Sequence, residues 1–338
     1  MKLFALILPA VCFAQSSMAD PSARDMLAAA MAGYRPVIAA SLDGAGNFEF
    51  ESSIEIKAAS ADALVDIGSI TKTITAIATL HLIENMDLST QSSLGELLPA
   101  VPEDKAPITL HQLLTHTSGL IETTGDDAEV LSRSGFLDRV LSAPLEADPG
   151  SVHLYSNAGY SLLAAIIELQ SNMSYEDYLL EHVLPQGAPP IGYSAVYTEA
   201  QSILSGRHWL TAFQRQPIAE ASWGGAEPGW NLVGNGGLVA TAEGFVSFWA
   251  AFMGGEIVGH DLVEAALMPH VDEGNGDTFY GYGLVVEPRG RQDVIYWHDG
   301  GNEVFSAEWR YDTRSGITLF TAGRGDAAFK AMTDMVND

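Results

Sequence analysis

Polar and apolar residues alternate near both ends of the chain, while the middle repeats apolar residues at three- and four-residue spacing. After a helical stretch at about 21–32, Pro36-Val37-Ile38-Ala39-Ala40 runs through Asp43-Gly44-Ala45-Gly46 into Asn47-Phe48-Glu49-Phe50-Glu51, which predicts a β-hairpin. Near the other end, 282–286, 293–297, 305–310 and 317–321 read as strands separated by Gly, Pro and Asp turns, and a helix over about 327–336 closes the chain. Between these ends, 69–84, 159–169 and 242–253 carry the helical period. The class is α/β (α+β): an antiparallel sheet flanked by helices, with an inserted, mainly helical sub-domain. The expected division places 20–85 and 230–338 in the sheet part and 86–229 in the helical part. No repeat or Pro/Ser-rich linker separates them, and a cleft between the two parts is the natural place for a ligand.

The first 19 residues change the picture of where the chain works. Lys2 precedes the apolar run Leu3–Leu8, and Cys12-Phe13-Ala14 or Ser17-Met18-Ala19 offers small residues for cleavage, as in a signal peptide. Pro9 and Gln15 make the run too short for a bilayer span, so no stable membrane span is expected after removal. A periplasmic or secreted location follows. Cys12 is the only cysteine, so the mature chain has no disulfide, thiolate metal site or cysteine nucleophile. The formal charge of −27, from 43 acidic and 16 basic residues, excludes a nucleic-acid partner on electrostatic grounds.

Three short strings carry candidate chemistry. In Ser69-Ile70-Thr71-Lys72, positions three apart share a helix face, so the Lys72 amine can reach the Ser69 hydroxyl at the positive end of the helix dipole. Gly68 permits the sharp turn before it. Lys72 is the only charged residue from Ser69 to Ile83, so it is expected to be desolvated, with a lowered pKa and the capacity to accept a proton. Tyr155-Ser156-Asn157 follows Asp148-Pro149-Gly150 and precedes a helix, which places it on a loop able to face a cleft. A phenol near a lysine can serve as general base, and the Asn157 amide can bond both the lysine and a substrate carbonyl. His298-Asp299-Gly300-Gly301 ends an apolar strand. There His298 could donate a hydrogen bond to the Tyr155 oxygen, Gly300, a candidate substrate-binding residue, marks a close approach by a ligand or another backbone, and the Gly301 and Ser69 backbone N–H groups could form an oxyanion hole. Each string alone is weak; their order (helix start, cleft loop, strand end) gives them weight.

With these strings in this order, the chain resembles the serine β-lactamase, D-alanyl-D-alanine carboxypeptidase and family VIII-type esterase superfamily, whose signatures are Ser-x-x-Lys, Tyr-x-Asn and Lys-Thr-Gly or His-x-Gly. Leu113-Leu114-Thr115-His116-Thr117-Ser118-Gly119-Leu120 and Gly236-Gly237-Leu238-Val239-Ala240-Thr241-Ala242 are similar to further landmarks. The resemblance implies a β-lactamase/transpeptidase-like fold. It also implies that Ser69 forms an acyl-enzyme, Lys72 and Tyr155 share the proton transfers, Asn157 positions substrate and lysine, and His298 supports Tyr155, with no cofactor and no metal. His81, His116 and His153 are read as structural. No His-Glu-x-x-His or Gly-x-Ser-x-Gly occurs, against a zinc hydrolase of that kind and an α/β-hydrolase elbow.

His-Asp-Gly in place of Lys-Thr-Gly, followed by Gly301 instead of a small hydroxyl residue, weakens the grip on a substrate carboxylate. Strand alternation should turn Asp299 away from the cleft when His298 faces it. The expected substrate is therefore a small ester, amide or peptide, with neutral esters, lactones or D-amino-acid amides turned over better than penicillins or D-Ala-D-Ala peptides, as by an esterase or D-amino-acid amidase; D-alanyl-D-alanine carboxypeptidase or class C-like β-lactamase is the alternative. A non-catalytic binder of cell-wall peptide or of a partner would predict an altered catalytic residue, and all three strings are complete. Oligomeric state is not legible at this level.

Overall fold

The computed structural model describes residues 22–31, 37–53, 60–127, 129–193, 203–204, 229–301 and 305–337; the signal peptide expected at 1–19 lies outside these. The N-terminal hairpin forms as expected, β1 over Val37–Leu42 and β2 over Phe48–Ser52. It pairs with a strand from the far end of the chain. β7 (Val271–Asp272), β8 (Phe279–Tyr280), β9 (Val285–Arg289), β10 (Asp293–Gly301), β11 (Phe305–Asp312) and β12 (Ile317–Arg324) complete an antiparallel sheet ordered β2-β1-β12-β11-β10-β9-β8-β7. β1 meets β12 with Val37 opposite Gly323 and Leu42 opposite Thr318.

Alternation along β1 sends side chains to two cores. Val37 and Ala39 pack with Leu27 and Ala30 of α1 (Ala23–Met31) and with Ala331, Met332 and Met335 of the C-terminal helix Ala327–Asn337. Ile38 and Ala40 join the main core on the opposite face. There the helix Ala242–Met253 lays Phe245 against Trp309 and Phe320, with ring centroids 5.6 Å apart in both cases, and Trp249 sits 4.3 Å from Trp309. Burying such rings stabilises the domain by roughly 2–3 kcal/mol each.

A second, smaller sheet was not expected. Its strands are β3 (Leu64–Asp66), β4 (Ile191–Gly192), β5 (Ile203–Leu204) and β6 (Val239–Ala240), ordered β4-β6-β3-β5. Strands of two or three residues are too short for a two-residue period to show.

The expected helix at Ser69 begins as a 3₁₀ turn, Gly68–Ile70, and continues as α2, Thr71–Asn85. Buried on nearly every side, α2 satisfies its threonines on distant backbone: Thr73 Oγ1 donates to the Gly283 carbonyl at 2.7 Å, and Thr75 Oγ1 lies 2.5 Å from the Gly234 carbonyl and 2.6 Å from the Tyr175 hydroxyl. Against α2 packs the helix Asn157–Ser171. The strand expected over 282–286 starts only at Val285. Gly283 has φ +74° and lies so close to α2 that a Cβ would fall 2.7 Å from the Lys72 carbonyl oxygen, so this stretch leaves the sheet to seat the helix. No helix among the described residues is long and apolar enough to cross a membrane.

Candidate active site

The Ser69 turn is set by glycines on two elements. Gly68 has φ +48°, and a Cβ there would meet the Gly301 nitrogen at 2.5 Å. A Cβ on Gly300 would meet the Ile67 carbonyl oxygen and come within 2.5 Å of the Ser69 nitrogen. The close approach foreseen at Gly300 is thus made by the backbone of the turn. With β10 held this near, Ser69 and Gly301 line one cleft.

One helical turn on, Lys72 is fully buried. Its Nζ donates to Ser69 Oγ at 2.9 Å and to the Asn235 carbonyl oxygen at 2.7 Å, and lies 4.8 Å from the centre of the Tyr155 ring. Burial lowers its pKa from 10.5 to about 7, with Asp127, Asp299 and Glu122 partly opposing the shift. Asn157, expected to hold the lysine, does not make that contact here. Its Oδ1 is buried without a hydrogen-bond partner, and the Asn235 backbone takes the place.

The Tyr155 loop is pinned by His116. The Leu154 N–H donates to the His116 carbonyl at 2.7 Å, and the Ser156 N–H donates to His116 Nδ1 at 3.0 Å. The His116 ring lies 4.3 Å from that of Tyr155. Tyr155 hydrogen-bonds Ser69, but burial dominates and raises the phenol far above its ordinary value. Asn157 opens the following helix, whose cap is the Ser156 hydroxyl accepting from Gly159 N–H at 2.9 Å. His153 packs edge-on to His116, and His81 bonds the Tyr178 hydroxyl at 2.8 Å, away from Ser69.

His298 is buried, but its partner is not the Tyr155 expected. Nδ1 lies 2.6 Å from the Asp299 carbonyl oxygen, and Nε2 lies 3.0 Å from the Tyr280 hydroxyl. A carbonyl only accepts, so Nδ1 carries the proton and Nε2 accepts from Tyr280. Burial lowers the imidazole to about 4 and keeps it neutral. The register of β8 and β9 brings Tyr280 to this place, a non-local pairing the sequence does not display.

The cleft is lined by Asp66, Ser69, Asp127, Asn157 and Asn235, by the apolar Leu232 and Phe305 and by the glycines around them, and encloses about 620 Å³ including its open mouth. Asp299 is half-exposed, as strand alternation requires, yet borders an adjoining hollow with Ser69 and Tyr155. Sequence reasoning missed Asp66, Asp127, Asn235 and Tyr280. Only Asn235 carried a local signal, an amide set among Gly234, Gly236 and Gly237. No group of three or more His, Cys, Asp or Glu side chains among the described residues is placed to hold a metal ion.

A sequence model of the β-lactamase family matches residues 14–335. The chain belongs to the β-lactamase family. This family includes serine hydrolases, and the architecture is the β-lactamase/transpeptidase-like fold. A penicillin-binding protein of Bacillus subtilis (strain 168) is 26% identical over 275 residues, 75% of this chain and 59% of that protein. Esterase EstB of Burkholderia gladioli is 35% identical over 127 residues, 32% of each chain. The chain thus spans little more than half the length of the former relative and a third of the latter. Among solved structures, the D-amino acid amidase of Ochrobactrum anthropi SV3 superposes with TM-score 0.69 at 19% identity, covering 94% of this chain and 99% of that one. A penicillin binding protein from Bacillus halodurans gives 0.72 at 23%, covering 89% and 95%. At these identities the superpositions speak for the fold.

Proposed function

We propose that this chain hydrolyses small esters or amides through an acyl-enzyme on Ser69. The observation that carries the reading is the buried Lys72 Nζ 2.9 Å from Ser69 Oγ, with its pKa brought to about 7. At neutral pH a large share of Lys72 is the free amine, able to take the Ser69 proton as Oγ attacks the acyl carbon. Tyr155, whose phenol is held firmly protonated, gives its proton to the leaving oxygen or nitrogen and is reprotonated by the proton Lys72 took from Ser69, so that the amine is free again before deacylation. The Ser69 and Gly301 N–H groups would receive the charge on the carbonyl oxygen. Asn157 Oδ1 is left to accept from the substrate or from a shifted Lys72 amine, and Gly300 lets the two walls meet. His298 acts at a distance, through Asp299 and Tyr280. Water then attacks the acyl-enzyme and Lys72 takes its proton, which returns to Ser69 as the acid product leaves.

Esterase- or D-amino-acid-amidase-like activity is preferred to carboxypeptidase or β-lactamase activity because the described lining of the cleft carries Asp66 and Asp127 and no Lys or Arg to hold a carboxylate. We further read residues 1–19 as an export signal and place the mature chain in the periplasm or outside the cell. Intact-mass spectrometry after treatment with a fluorophosphonate, a fluorescent penicillin and a p-nitrophenyl ester tests the function. The expected result is phosphonate on Ser69, rapid ester turnover and no lasting penicillin adduct, all lost in Ser69→Ala. A stable penicilloyl adduct would assign a penicillin-binding peptidase instead, and no labelling would restore the non-catalytic reading.

A further inference from the structure

Asp66 lies three residues before the nucleophile, on β3, and lines the same cleft. It is only 4% exposed, and among the described residues its buried Oδ2 has no hydrogen-bond partner. A buried carboxyl without a partner is costly. Asp127 lines the cleft nearby, and Asp299 borders the adjoining hollow beside Ser69. No Lys or Arg lines either space among the described residues.

We propose that Asp66 is the recognition site for a positively charged group on the substrate, with Asp127 and Asp299 drawing that charge in at the rim, so that the cleft selects cationic acyl esters and amides over anionic ones. The inference rests on the reading of Ser69 as an acylating nucleophile and adds the substrate class. A cation entering the cleft beside Asp66 favours the ionised carboxyl by charge.

The titration of Asp66 makes the selection depend on pH. Burial alone raises its pKa from 3.8 to about 8. The neighbouring β5 and β6 contribute no titratable side chain; α2 carries Lys72, His81 and Glu84, the loop Asp126 and Asp127, β10 Asp293, Tyr296, His298 and Asp299, and β11 Glu308, Arg310, Tyr311 and Asp312. None of them is a cause of that shift. Below about pH 8 the carboxyl is mainly neutral and indifferent to charge; above it, a fixed positive charge is attracted.

The test compares two p-nitrophenyl esters of one shape, that of 4-(trimethylammonio)butyrate and that of its neutral carbon isostere, 5,5-dimethylhexanoate. Their charges do not titrate, and the ratio of their kcat/KM values cancels the ionisation of Lys72, which both share. The ratio should rise at least ~5-fold between pH 6.5 and 9 in the native protein, an energy of about 1 kcal/mol, and become flat in Asp66→Asn. A flat ratio in the native protein overturns the assignment without need of any variant. A rise that persists in Asp66→Asn and disappears in Asp127→Asn overturns it in favour of Asp127. Turnover of both esters with a flat ratio leaves the Ser69 hydrolase standing and removes only Asp66, whereas turnover of neither, unchanged by Ser69→Ala, removes both.

Discussion

Two parts of the cleft wall, on either side of Ser69 in the chain, bury ionisable groups in opposite ways. In one, Lys72 has its amine bonded to Ser69 Oγ and to the Asn235 carbonyl, and the loop carrying Tyr155 is bonded to His116. In the other, Asp66 is buried almost as deeply, and its Oδ2 has no partner among the described residues. Burial moves both toward neutrality, Lys72 down to about 7 and Asp66 up to about 8. The bonded wall is organised before any ligand arrives, as chemistry requires. The unbonded wall has a partner still to come, as recognition requires. Depth of burial is therefore a poor guide to role, and the distinction lies in which polar atoms are already satisfied.

The comparison breaks most visibly at the nucleophile. Ser69→Ala should lower ester turnover by at least ~10⁴-fold with the fold unchanged by circular dichroism; retention of a tenth of the activity would show that the bonded wall is not the chemical one. Next, Lys72→Met should cost about 10²–10⁴-fold in kcat. Because the base is the free amine, native kcat/KM for a neutral ester should climb as pH rises through about 7 and fall below it. A pH-independent rate from 5.5 to 9 would contradict this.

Asp66→Asn sharpens the contrast through stability. The folded carboxyl titrates near 8 and the unfolded one near 3.8, so the unfolded state gives up its proton first and the native protein loses stability as pH rises through that window. Below about pH 4 both states hold the proton and the penalty is absent. The melting temperature of Asp66→Asn relative to the native protein should therefore increase from pH 4 to pH 8, by an energy on the order of a few kcal/mol. A constant difference would mean that Asp66 ionises freely. Smallest is Tyr280→Phe, which removes one hydrogen bond to His298 Nε2 and should cost roughly 3–10-fold in kcat. It should also raise the His298 pKa from about 4, as followed by imidazole NMR, since the neutral ring loses its donor. An unmoved resonance would detach Tyr280 from that role.

Periodicity carried the reading of the long elements. The hairpin at β1 and β2, β10 to β12, and the helices over 71–85, 157–171 and 242–253 all lie where the apolar spacing put them. It failed at β3 to β6, whose two or three residues hold no full period, and at Gly281–Leu284, where seating α2 outweighs strand preference. At the site, the spacing of Ser69 and Lys72 was readable because one helical turn is a local quantity. The partner of His298 was not, since Tyr280 reaches it only through the pairing of β8, β9 and β10.

By itself the sequence determined which segments coil or extend, and that a serine, a lysine, a tyrosine and a histidine fall at an element start, a loop and a strand end. Only the tertiary structure decided that Asn235 and not Asn157 bonds the lysine, that His298 answers to Tyr280, and that Asp66 lines the cleft with its Oδ2 buried and unpartnered among the described residues. The reason is physical: spacing along a helix is set by neighbours in the chain, whereas desolvation and hydrogen-bond satisfaction are set by neighbours in space, and around Ser69 those come from β3, β8, β10 and the 229–237 loop at once.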